Sequence, residues 1–127
     1  MYYLTTPLIV FFIIILVIYT VYINYEPFKN NSTVIEYYSL SRCPHCVDFN
    51  PLWEKFEKSC DSCKKYVVDQ GDVDDIKKRL ERFNINSFPT IIVTKDGNKV
   101  DEMKDGRTCS SLKSLCNKHG VKCTLTC

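Results

Sequence analysis

The sequence predicts an α/β domain with a mixed four-stranded sheet, preceded by one membrane-spanning helix. Short β-rich runs alternate with amphipathic helical runs, a pattern that favours a partly parallel sheet with helices on its faces. The Asp96-Gly97 pair separates the last two β-rich runs and predicts a hairpin turn, so those two strands are antiparallel. An uncharged apolar run near the start of the chain indicates the membrane helix. The expected element order after that helix is β-α-β-α-β-β-α.

The apolar run covers residues 4–25, which as a helix would measure about 33 Å at roughly 1.5 Å per residue. That length crosses a bilayer core of about 30 Å. A cleaved signal peptide is the alternative, but no Lys or Arg precedes the run and no small-residue cleavage site follows it. We therefore expect an uncleaved anchor over 1–25 and a polar linker over 26–32. Tyrosines flank the run where interfacial aromatic residues belong: Tyr2, Tyr3, Tyr22 and Tyr25.

The rest of the chain predicts one compact domain over 33–119 and a cysteine-containing tail over 120–127. A helix is expected to begin at Pro44, and Asp72 and Thr108 are predicted to be the N-caps of two further helices. Strands are expected where β-branched and aromatic residues cluster, at 34–38, 66–68, 90–93 and 99–103.

The composition excludes some functions and favours others. The net charge is only +2 and acidic residues interleave with lysines, so no nucleic-acid partner is expected. Alanine is absent while Ile, Asn, Lys and Tyr are abundant, a bias that suggests an AT-rich genome such as that of a parasite or a large DNA virus. Eight cysteines in 127 residues favour an oxidising compartment, with disulfides as the first interpretation and metal ligation as the second.

The motif Cys43-Pro44-His45-Cys46 lies where the first strand ends and the first amphipathic helix begins. A sulfur at a helix N-terminus faces unpaired N–H groups and the positive end of the helix dipole, which favour the thiolate. Arg42 and, if protonated, His45 act in the same direction. Cys43 is thus predicted to be a nucleophile, and Cys46, one turn deeper, to attack the mixed disulfide that Cys43 forms.

Two other interpretations of this spacing stay open from the motif alone. Cys43 and Cys46 could form an inert bridge, or they could be two zinc ligands, because Cys-x-x-Cys pairs also occur in zinc knuckles. Their position between a strand and a helix favours the redox interpretation. No cofactor is expected.

The residues around the motif resemble the active-site region of the protein disulfide isomerases and thioredoxins. In that family a helix proline follows the second cysteine by five residues, as Pro51 follows Cys46. The run Ser87-Phe88-Pro89-Thr90 is similar to the family's cis-proline segment, and Asp105-Gly106-Arg107-Thr108 resembles its Gly-x-Arg-Thr start of the last helix. The resemblance covers about residues 33–119. It implies a minimal thioredoxin fold in which the family's usual first strand and helix are missing.

The resemblance also implies how the site would bind and react. Pro89 is expected to pack against the active-site sulfurs, and the backbone of Phe88 to hydrogen-bond a bound peptide strand. Arg107 could swing towards the sulfurs, although a surface salt bridge is the alternative. The Cys-Pro-His-Cys sequence resembles strongly oxidising bacterial periplasmic oxidases more than reducing thioredoxins, which favours oxidase or isomerase work.

A buried acid that assists proton transfer under the motif is a further feature of the family. Glu36 would be that acid, provided that the loop before Cys43 carries one extra residue. Without the extra residue, Tyr37 takes its place and the proton relay is in doubt. The isomerases' lysine partner to this acid maps to Val67.

The other six cysteines predict a second cluster. The topology brings the ends of the first and last domain helices together at the pole opposite the motif. Two disulfides of unknown pairing are favoured there, each contributing roughly 2–4 kcal/mol, and a zinc site with the same four ligands is the alternative. Cys116 could join this cluster, whereas Cys109 is expected to be free. The four residues of the predicted cluster are Cys60, Cys63, Cys123 and Cys127.

Together these observations predict a single-pass membrane protein whose domain faces an oxidising compartment, which would be the ER lumen, the cell exterior or a virion surface. The predicted activity is thiol–disulfide oxidoreduction on protein substrates. It implies an upstream redox partner that resets the motif, and membrane lipid around the N-terminal helix. The alternative is a cysteine-stapled membrane or virion interaction module that keeps the fold without turnover. The intact motif favours the enzyme, while the missing relay lysine favours the module.

Overall fold

The computed structural model describes residues 5–24 and 32–127, which fall into two compact units. The first unit contains helix α1 (Thr5–Asn24), whose stretch Thr6–Ile23 is exposed throughout and is long and apolar enough to cross a membrane. A helix that is hydrophobic on all sides is typical of a segment buried in lipid. Helix α1 is therefore a candidate membrane anchor or signal sequence. Most of the predicted linker, 26–31, lies outside the described residues.

The second unit has the predicted element order β-α-β-α-β-β-α. Its strands form one mixed four-stranded sheet of order β2-β1-β3-β4, in which β1 pairs in parallel with β2 and antiparallel with β3, and β3 pairs antiparallel with β4. The predicted fold class is confirmed. The strands are β1 (Thr33–Ser39), β2 (Cys63–Val67), β3 (Thr90–Lys95) and β4 (Asn98–Glu102), and the helices are α2 (Pro44–Lys58), α3 (Val73–Phe83) and α4 (Cys109–His119).

Strand β2 lies earlier in the chain than the sequence predicts. It begins at Cys63 rather than at residue 66, and it includes Lys64 and Lys65. The N–H of Ile35 in β1 donates to the carbonyl of Ser62 at 2.9 Å, which starts the parallel pairing there. Pairing with a buried central strand outweighs the low β-propensity of lysine.

The two faces of β1 bury different side chains, which decides what lies beneath the motif. Ile35 and Tyr37 point into a core cluster shared with α2 and α4. Tyr38 belongs to a smaller cluster on the other face, together with Phe83 of α3. Side chains alternate along a strand, so Glu36 shares the face of Tyr38. The helical members of the larger cluster include Phe49, Trp53, Phe56, Leu112, Leu115 and Cys116.

The segment after α4 is part of the domain core and not a free tail. Val121 and Leu125 are buried in the larger cluster. The N–H of Thr124 donates to the carbonyl of Ser59 at 2.9 Å, directly after α2. These contacts fix the last residues of the chain against the end of α2.

Candidate active site

The start of α2 carries the two cysteines of the motif. Cys43 is the N-cap of the helix, with an extended backbone (φ −75°, ψ 119°), and Pro44 occupies the first turn. The N–H of Val47 donates to the carbonyl of Cys43 at 2.9 Å, which closes the first turn around the motif. Cys43 is half-buried and Cys46 is fully buried beneath it. The arrangement places one sulfur within reach of a partner protein and the other behind it.

The two thiols have opposite pKa shifts. The pKa of Cys43 is lowered, first by a hydrogen bond with the Cys46 side chain, then by the N–H of Cys46, with smaller contributions from the N–H of His45 and the charge of Arg107. The pKa of Cys46 is raised, first by burial and then by its hydrogen bond with the Cys43 sulfur. The accessible sulfur is therefore the better nucleophile, and the buried sulfur holds its proton more tightly.

A cis-proline lies beside the nucleophile. The Phe88–Pro89 peptide bond is cis, and the Sγ of Cys43 lies 3.8 Å from the carbonyl oxygen of Phe88, as a weak sulfur hydrogen bond. The hydroxyl of Thr90 donates to the carbonyl of Ser87 at 2.7 Å, which ties the start of β3 to this loop. The carbonyl of Phe88 is therefore in contact with the Cys43 sulfur.

The side chain beneath Cys46 is Tyr37. It is fully buried, and its hydroxyl donates to Oδ1 of Asn50 at 3.1 Å and to the carbonyl of Cys46 at 3.4 Å. Burial and, after it, the nearby Cys46 sulfur raise the pKa of Tyr37, so its phenol keeps its proton and acts as a donor. A hydrogen bond from Tyr37 in turn lowers the pKa of Cys46, against the larger effect of burial.

The prediction that Glu36 lies under the motif as a proton relay is wrong. Glu36 is buried on the opposite face of the sheet, where it accepts hydrogen bonds from the hydroxyls of Thr94 (3.1 Å) and Tyr38 (2.5 Å). Its carboxylate also lies 3.6 Å from the guanidinium of Arg79. Because neighbouring side chains of a strand point to opposite faces, Glu36 and Tyr37 cannot both face α2. Glu36 anchors α3 to the sheet instead.

The lysine beside the buried tyrosine is Lys65, so the predicted mapping to Val67 is also wrong. Tyr37 pairs with Lys65 in the β1–β2 register, and the ammonium of Lys65 lies 5.7 Å from the centroid of the tyrosine ring. Neither Lys65 nor Asn50 was predicted to belong to the site. The alternation of side chains along β1 is the signal that could have identified them. It was not decisive, because β1 is buried on both faces.

The predicted charges around the motif act on different groups. Arg107 is exposed, and its charge contributes to the lowered pKa of Cys43. His45 is also exposed and acts on Cys43 through its backbone N–H. The pKa of Asp69 is lowered, chiefly by hydrogen bonds from Ser41 and also by the charge of Arg42.

The remaining six cysteines form three disulfides: Cys60–Cys63, Cys109–Cys127 and Cys116–Cys123. The expectation that Cys109 is free is wrong, because the end of the chain turns back to the start of α4. The predicted four-cysteine set is also wrong in one member, since Cys127 is bonded to Cys109 and Cys116 lies beside Cys60 and Cys123 instead. Within 32–127, Cys43 and Cys46 are the unpaired cysteines.

A strand–helix junction thus presents a sulfur of lowered pKa, a buried second sulfur and the carbonyl before a cis-proline. Such a constellation defines a thiol–disulfide exchange site, because the first sulfur can attack a disulfide and the second can resolve the product.

Comparisons with known proteins identify the family. A family model for thioredoxin matches residues 19–118. Thioredoxin 1 of Plasmodium falciparum is 31% identical over 93 residues, which cover 73% of this chain and 85% of the relative. The solution structure of oxidised thioredoxin from Plasmodium falciparum superposes with a TM-score of 0.54 at 31% identity, over 72% of this chain and 84% of that one. The chain belongs to the thioredoxin family and is a thiol–disulfide oxidoreductase whose substrates are proteins with disulfides.

Other relatives are longer than this chain. A protein disulfide isomerase-like 5-1 of Oryza sativa is 29% identical over 80 residues, which cover 63% of this chain and 54% of the relative. A thioredoxin domain-containing protein 5 homolog of Drosophila melanogaster is 25% identical over 76 residues, 60% of this chain and only 18% of the relative. The similarity covers about half of the first protein and less than a fifth of the second.

Proposed function

We propose that this protein is a membrane-anchored oxidase or isomerase that exchanges disulfides with proteins through Cys43 and Cys46. One observation carries the proposal. Of the eight cysteines, the two at the N-terminus of α2 are unpaired while the other six are bonded. A domain that is oxidised everywhere except at its reactive pair is suited to an oxidising compartment.

In the oxidising direction, Cys43 and Cys46 begin as a disulfide. A substrate thiolate attacks the Cys43 sulfur, the S–S bond breaks, and the Cys46 sulfur leaves with the electron pair and takes up a proton. A second substrate thiolate attacks the substrate sulfur of the mixed disulfide and releases Cys43 as a thiolate. The substrate has then lost two electrons, and the dithiol of Cys43 and Cys46 has gained them. An upstream redox partner with a disulfide must take these electrons away before the next cycle.

In the isomerising direction, the cycle begins with the reduced pair. The Cys43 thiolate attacks a non-native substrate disulfide, forms a mixed disulfide and releases one substrate thiolate. That thiolate attacks another disulfide of the same substrate, and the thiolate displaced there attacks the substrate sulfur of the mixed disulfide, which releases Cys43 as a thiolate. Cys46 frees the enzyme if this rearrangement stalls, at the cost of leaving the substrate reduced. Both directions need the same two sulfurs.

The lowered pKa of Cys43 supports the oxidising preference. A group of hydrogen-bond donors and a nearby Arg107 stabilise the thiolate, which exists only in the reduced form. Stabilising the reduced form raises the reduction potential, so the disulfide form becomes a stronger oxidant. The similarity to relatives from Oryza sativa and Arabidopsis thaliana that are named as protein disulfide isomerases supports the same class of activity.

Substrate binding is proposed to use the loop that carries the cis-proline. The Phe88 carbonyl lies 3.8 Å from the Cys43 sulfur, so an extended substrate segment hydrogen-bonded to this backbone would bring its own sulfur to Cys43. Recognition through backbone groups does not depend on substrate sequence. Pro89 lacks an N–H, so the carbonyl of Phe88 is the backbone group through which this loop contacts Cys43.

Trapping of substrates in cells tests the proposal. In a Cys46→Ala variant the mixed disulfide on Cys43 cannot be resolved, so covalent adducts should accumulate and should disappear on treatment with a dithiol reductant. Cys43→Ser is the matched control and should trap nothing. Absence of adducts from the Cys46→Ala variant, with a folded protein, would favour an interaction module without turnover.

The compartment is tested separately. Sealed membrane vesicles from cells that produce the full chain are treated with a membrane-impermeant maleimide after mild reduction, before or after permeabilisation. If the domain lies in the lumen, Cys43 should be labelled only after permeabilisation, and α1 should resist alkaline extraction. If Cys43 is labelled in sealed vesicles whose cytosolic face is outside, the proposed lumenal location is wrong. The trapping experiment then tests the exchange chemistry by itself.

A further inference from the structure

A second group of sulfurs lies at the far end of α2 and takes no part in the chemistry above. The sulfurs of Cys60, Cys116 and Cys123 all lie within 4.8 Å of one another. The sulfur of Cys63 is bonded to that of Cys60 at 2.15 Å, so it adjoins the same group. We call these four residues the far-end cluster.

The backbone holds the far-end cluster together independently of its two disulfides. Cys60 and Cys123 form an isolated antiparallel bridge, and the N–H of Thr124 donates to the carbonyl of Ser59 at 2.9 Å. Cys63 is the first residue of β2 in the register with Ile35, and Cys116 is buried on α4. When the S–S bonds are broken, the four residues therefore remain close together.

We propose that the reduced far-end cluster binds one Zn²⁺ ion through the four thiolates of Cys60, Cys63, Cys116 and Cys123. A tetrahedral zinc site with Zn–S bonds of about 2.3 Å separates its sulfurs by about 3.8 Å. The three sulfurs within 4.8 Å already approach that spacing. Each bonded pair opens by roughly 1.5 Å, which side-chain rotation supplies once the S–S bond has gone.

Electrons and protons balance when the two disulfides are converted into the zinc site. A dithiol reductant gives two electrons and two protons to each of the two disulfides, and is itself oxidised to a disulfide. The four resulting thiols then bind Zn²⁺ and release four protons. Without the ion, four thiolates near the carbonyl end of α2 would repel one another and the helix dipole. The ion offsets this repulsion, and thiolate ligands in tetrahedral geometry are a set that zinc prefers over harder cations.

The far-end cluster is partly accessible, because Cys63 and Cys123 are only half-buried. A cleft of about 320 Å³ is lined by residues next to them in sequence, among them Ser62 and Lys122. The proposed site uses neither Cys43 nor Cys46, so it stands or falls independently of the exchange activity.

The test uses the full chain in detergent micelles, in a Cys43→Ser/Cys46→Ser background that removes the motif as a source of ligands. The protein is reduced with a phosphine and transferred under anaerobic conditions into buffer without reductant. Zinc is then added, and the excess is removed by dialysis. We expect one equivalent of zinc per chain. Cobalt in place of zinc should give the intense visible bands of a tetrahedral thiolate site.

Cys116→Ser and Cys63→Ser should each weaken zinc binding by more than about 100-fold. Loss of a zinc ligand lowers the affinity at least as much as loss of a residue that only hydrogen-bonds a ligand. Cys109→Ser/Cys127→Ser is the matched control, since it removes a disulfide outside the cluster and should retain one equivalent. Circular dichroism identifies any variant that has not folded, and the more exposed Cys63 supplies the second variant if Cys116→Ser fails to fold. Less than stoichiometric zinc in the reduced background protein, or retention unchanged by both ligand variants, would overturn the proposal.

Discussion

Helix α2 has a Cys-x-x-Cys pair at each end, and the two pairs differ in every property that governs thiol chemistry. Cys43 and Cys46 lie at the N-terminus and are unpaired, and Cys43 has a lowered pKa. Cys60 and Cys63 lie just beyond the C-terminus and are bonded to each other. Identical spacing therefore does not specify identical chemistry.

The helix itself accounts for much of the difference. Unpaired N–H groups at the N-terminus stabilise a thiolate, whereas unpaired carbonyls at the C-terminus repel one. A sulfur that is a good leaving group is easily displaced from a disulfide, and a sulfur that is a poor one is not. We therefore expect the pair at the start of α2 to cycle and the pair at its end to stay bonded unless a reductant and a metal ion act together.

The largest expected effect is on turnover, and it tests whether the two ends are as different as the structure indicates. Cys43→Ser should lower disulfide exchange with a reduced protein substrate by more than about a thousandfold, as expected for loss of a nucleophile. Cys60→Ser/Cys63→Ser, the same change at the other end, should keep exchange within about threefold. Equal losses for both variants would mean that the contrast is wrong.

The next effect is on stability and concerns the bonded end. The Cys109–Cys127 disulfide spans a sequence separation of 18, so Cys109→Ser/Cys127→Ser should lower the free energy of unfolding by about 3 kcal/mol. The Cys60–Cys63 disulfide spans only 3, so its removal should cost about 1.5 kcal/mol. Urea unfolding of the domain under oxidising conditions measures both.

Tyr37→Phe tests how the tyrosine beneath Cys46 affects the resolving step. The change removes a hydrogen bond that lowers the pKa of Cys46, so less Cys46 thiolate is present near pH 7 and the mixed disulfide is resolved more slowly. We expect a roughly tenfold longer lifetime of the mixed disulfide with a model peptide. The initial attack by Cys43 should change less than threefold. A variant that slows both steps equally would indicate a merely structural role for Tyr37.

A smaller effect is expected from the charge near Cys43. Arg107→Ala removes one cause of the lowered pKa, so the apparent pKa of Cys43 alkylation should rise towards that of free cysteine, about 8.5. The rate against pH, measured by alkylation of reduced protein, provides the value. Lys104→Ala, a nearby loss of charge on the same loop, is the control and should leave the profile unchanged.

The same shift predicts the sign of a pH effect on stability. Because the folded pKa of Cys43 lies below its unfolded value, the reduced domain gains stability from this group above the unfolded pKa and loses it as the pH falls through the folded pKa. Cys46, with a raised pKa, acts oppositely and costs stability as the pH rises through its unfolded value. Burial is the larger cause of the Cys46 shift and persists when Cys43 is replaced, so unfolding of the reduced Cys43→Ser variant should show only the second trend. An opposite trend would contradict the assigned shift of Cys46.

The smallest expected effect concerns His45. Replacing it with Ala removes a possible charge beside the reactive sulfur while its backbone N–H stays in place, so the reduction potential should fall by only about 10–20 mV. Equilibration with a glutathione buffer measures this. A higher potential in the variant would mean that the imidazole does not stabilise the thiolate.

The sequence was sufficient for the parts of the site that follow from local rules. Pro44 after a β-rich run predicts a helix that starts at the motif, and the Asp96-Gly97 pair predicts the hairpin; both are present. Asp72 and Thr108 accept hydrogen bonds from the first turns of α3 and α4, as predicted for N-caps. These features depend on residues that are close in sequence, where turn and helix-cap chemistry decides the structure.

The parts that could not be predicted depend on contacts between distant segments. Glu36 and Tyr37 are both buried, so only the register of β1 against its neighbours decides which of them lies under Cys46. The six remaining cysteines allow 15 pairings, and spacing alone cannot choose among them. The choice follows from the burial of Val121 and Leu125, which directs the end of the chain first to α2 and then back to Cys109.

The hydrogen bond from Thr124 to Ser59 protects a stretch of backbone that belongs to no helix or strand. The N–H groups of Thr124 and Val121 both donate to backbone carbonyls, and the side chain of Leu125 is buried. Amide hydrogens held in this way exchange with solvent only when the segment opens, so those of Val121 and Thr124 should exchange slowly in the oxidised protein. A recombinant fragment that stops before Val121 would lose part of its interior and leave Cys109 and Cys116 without partners.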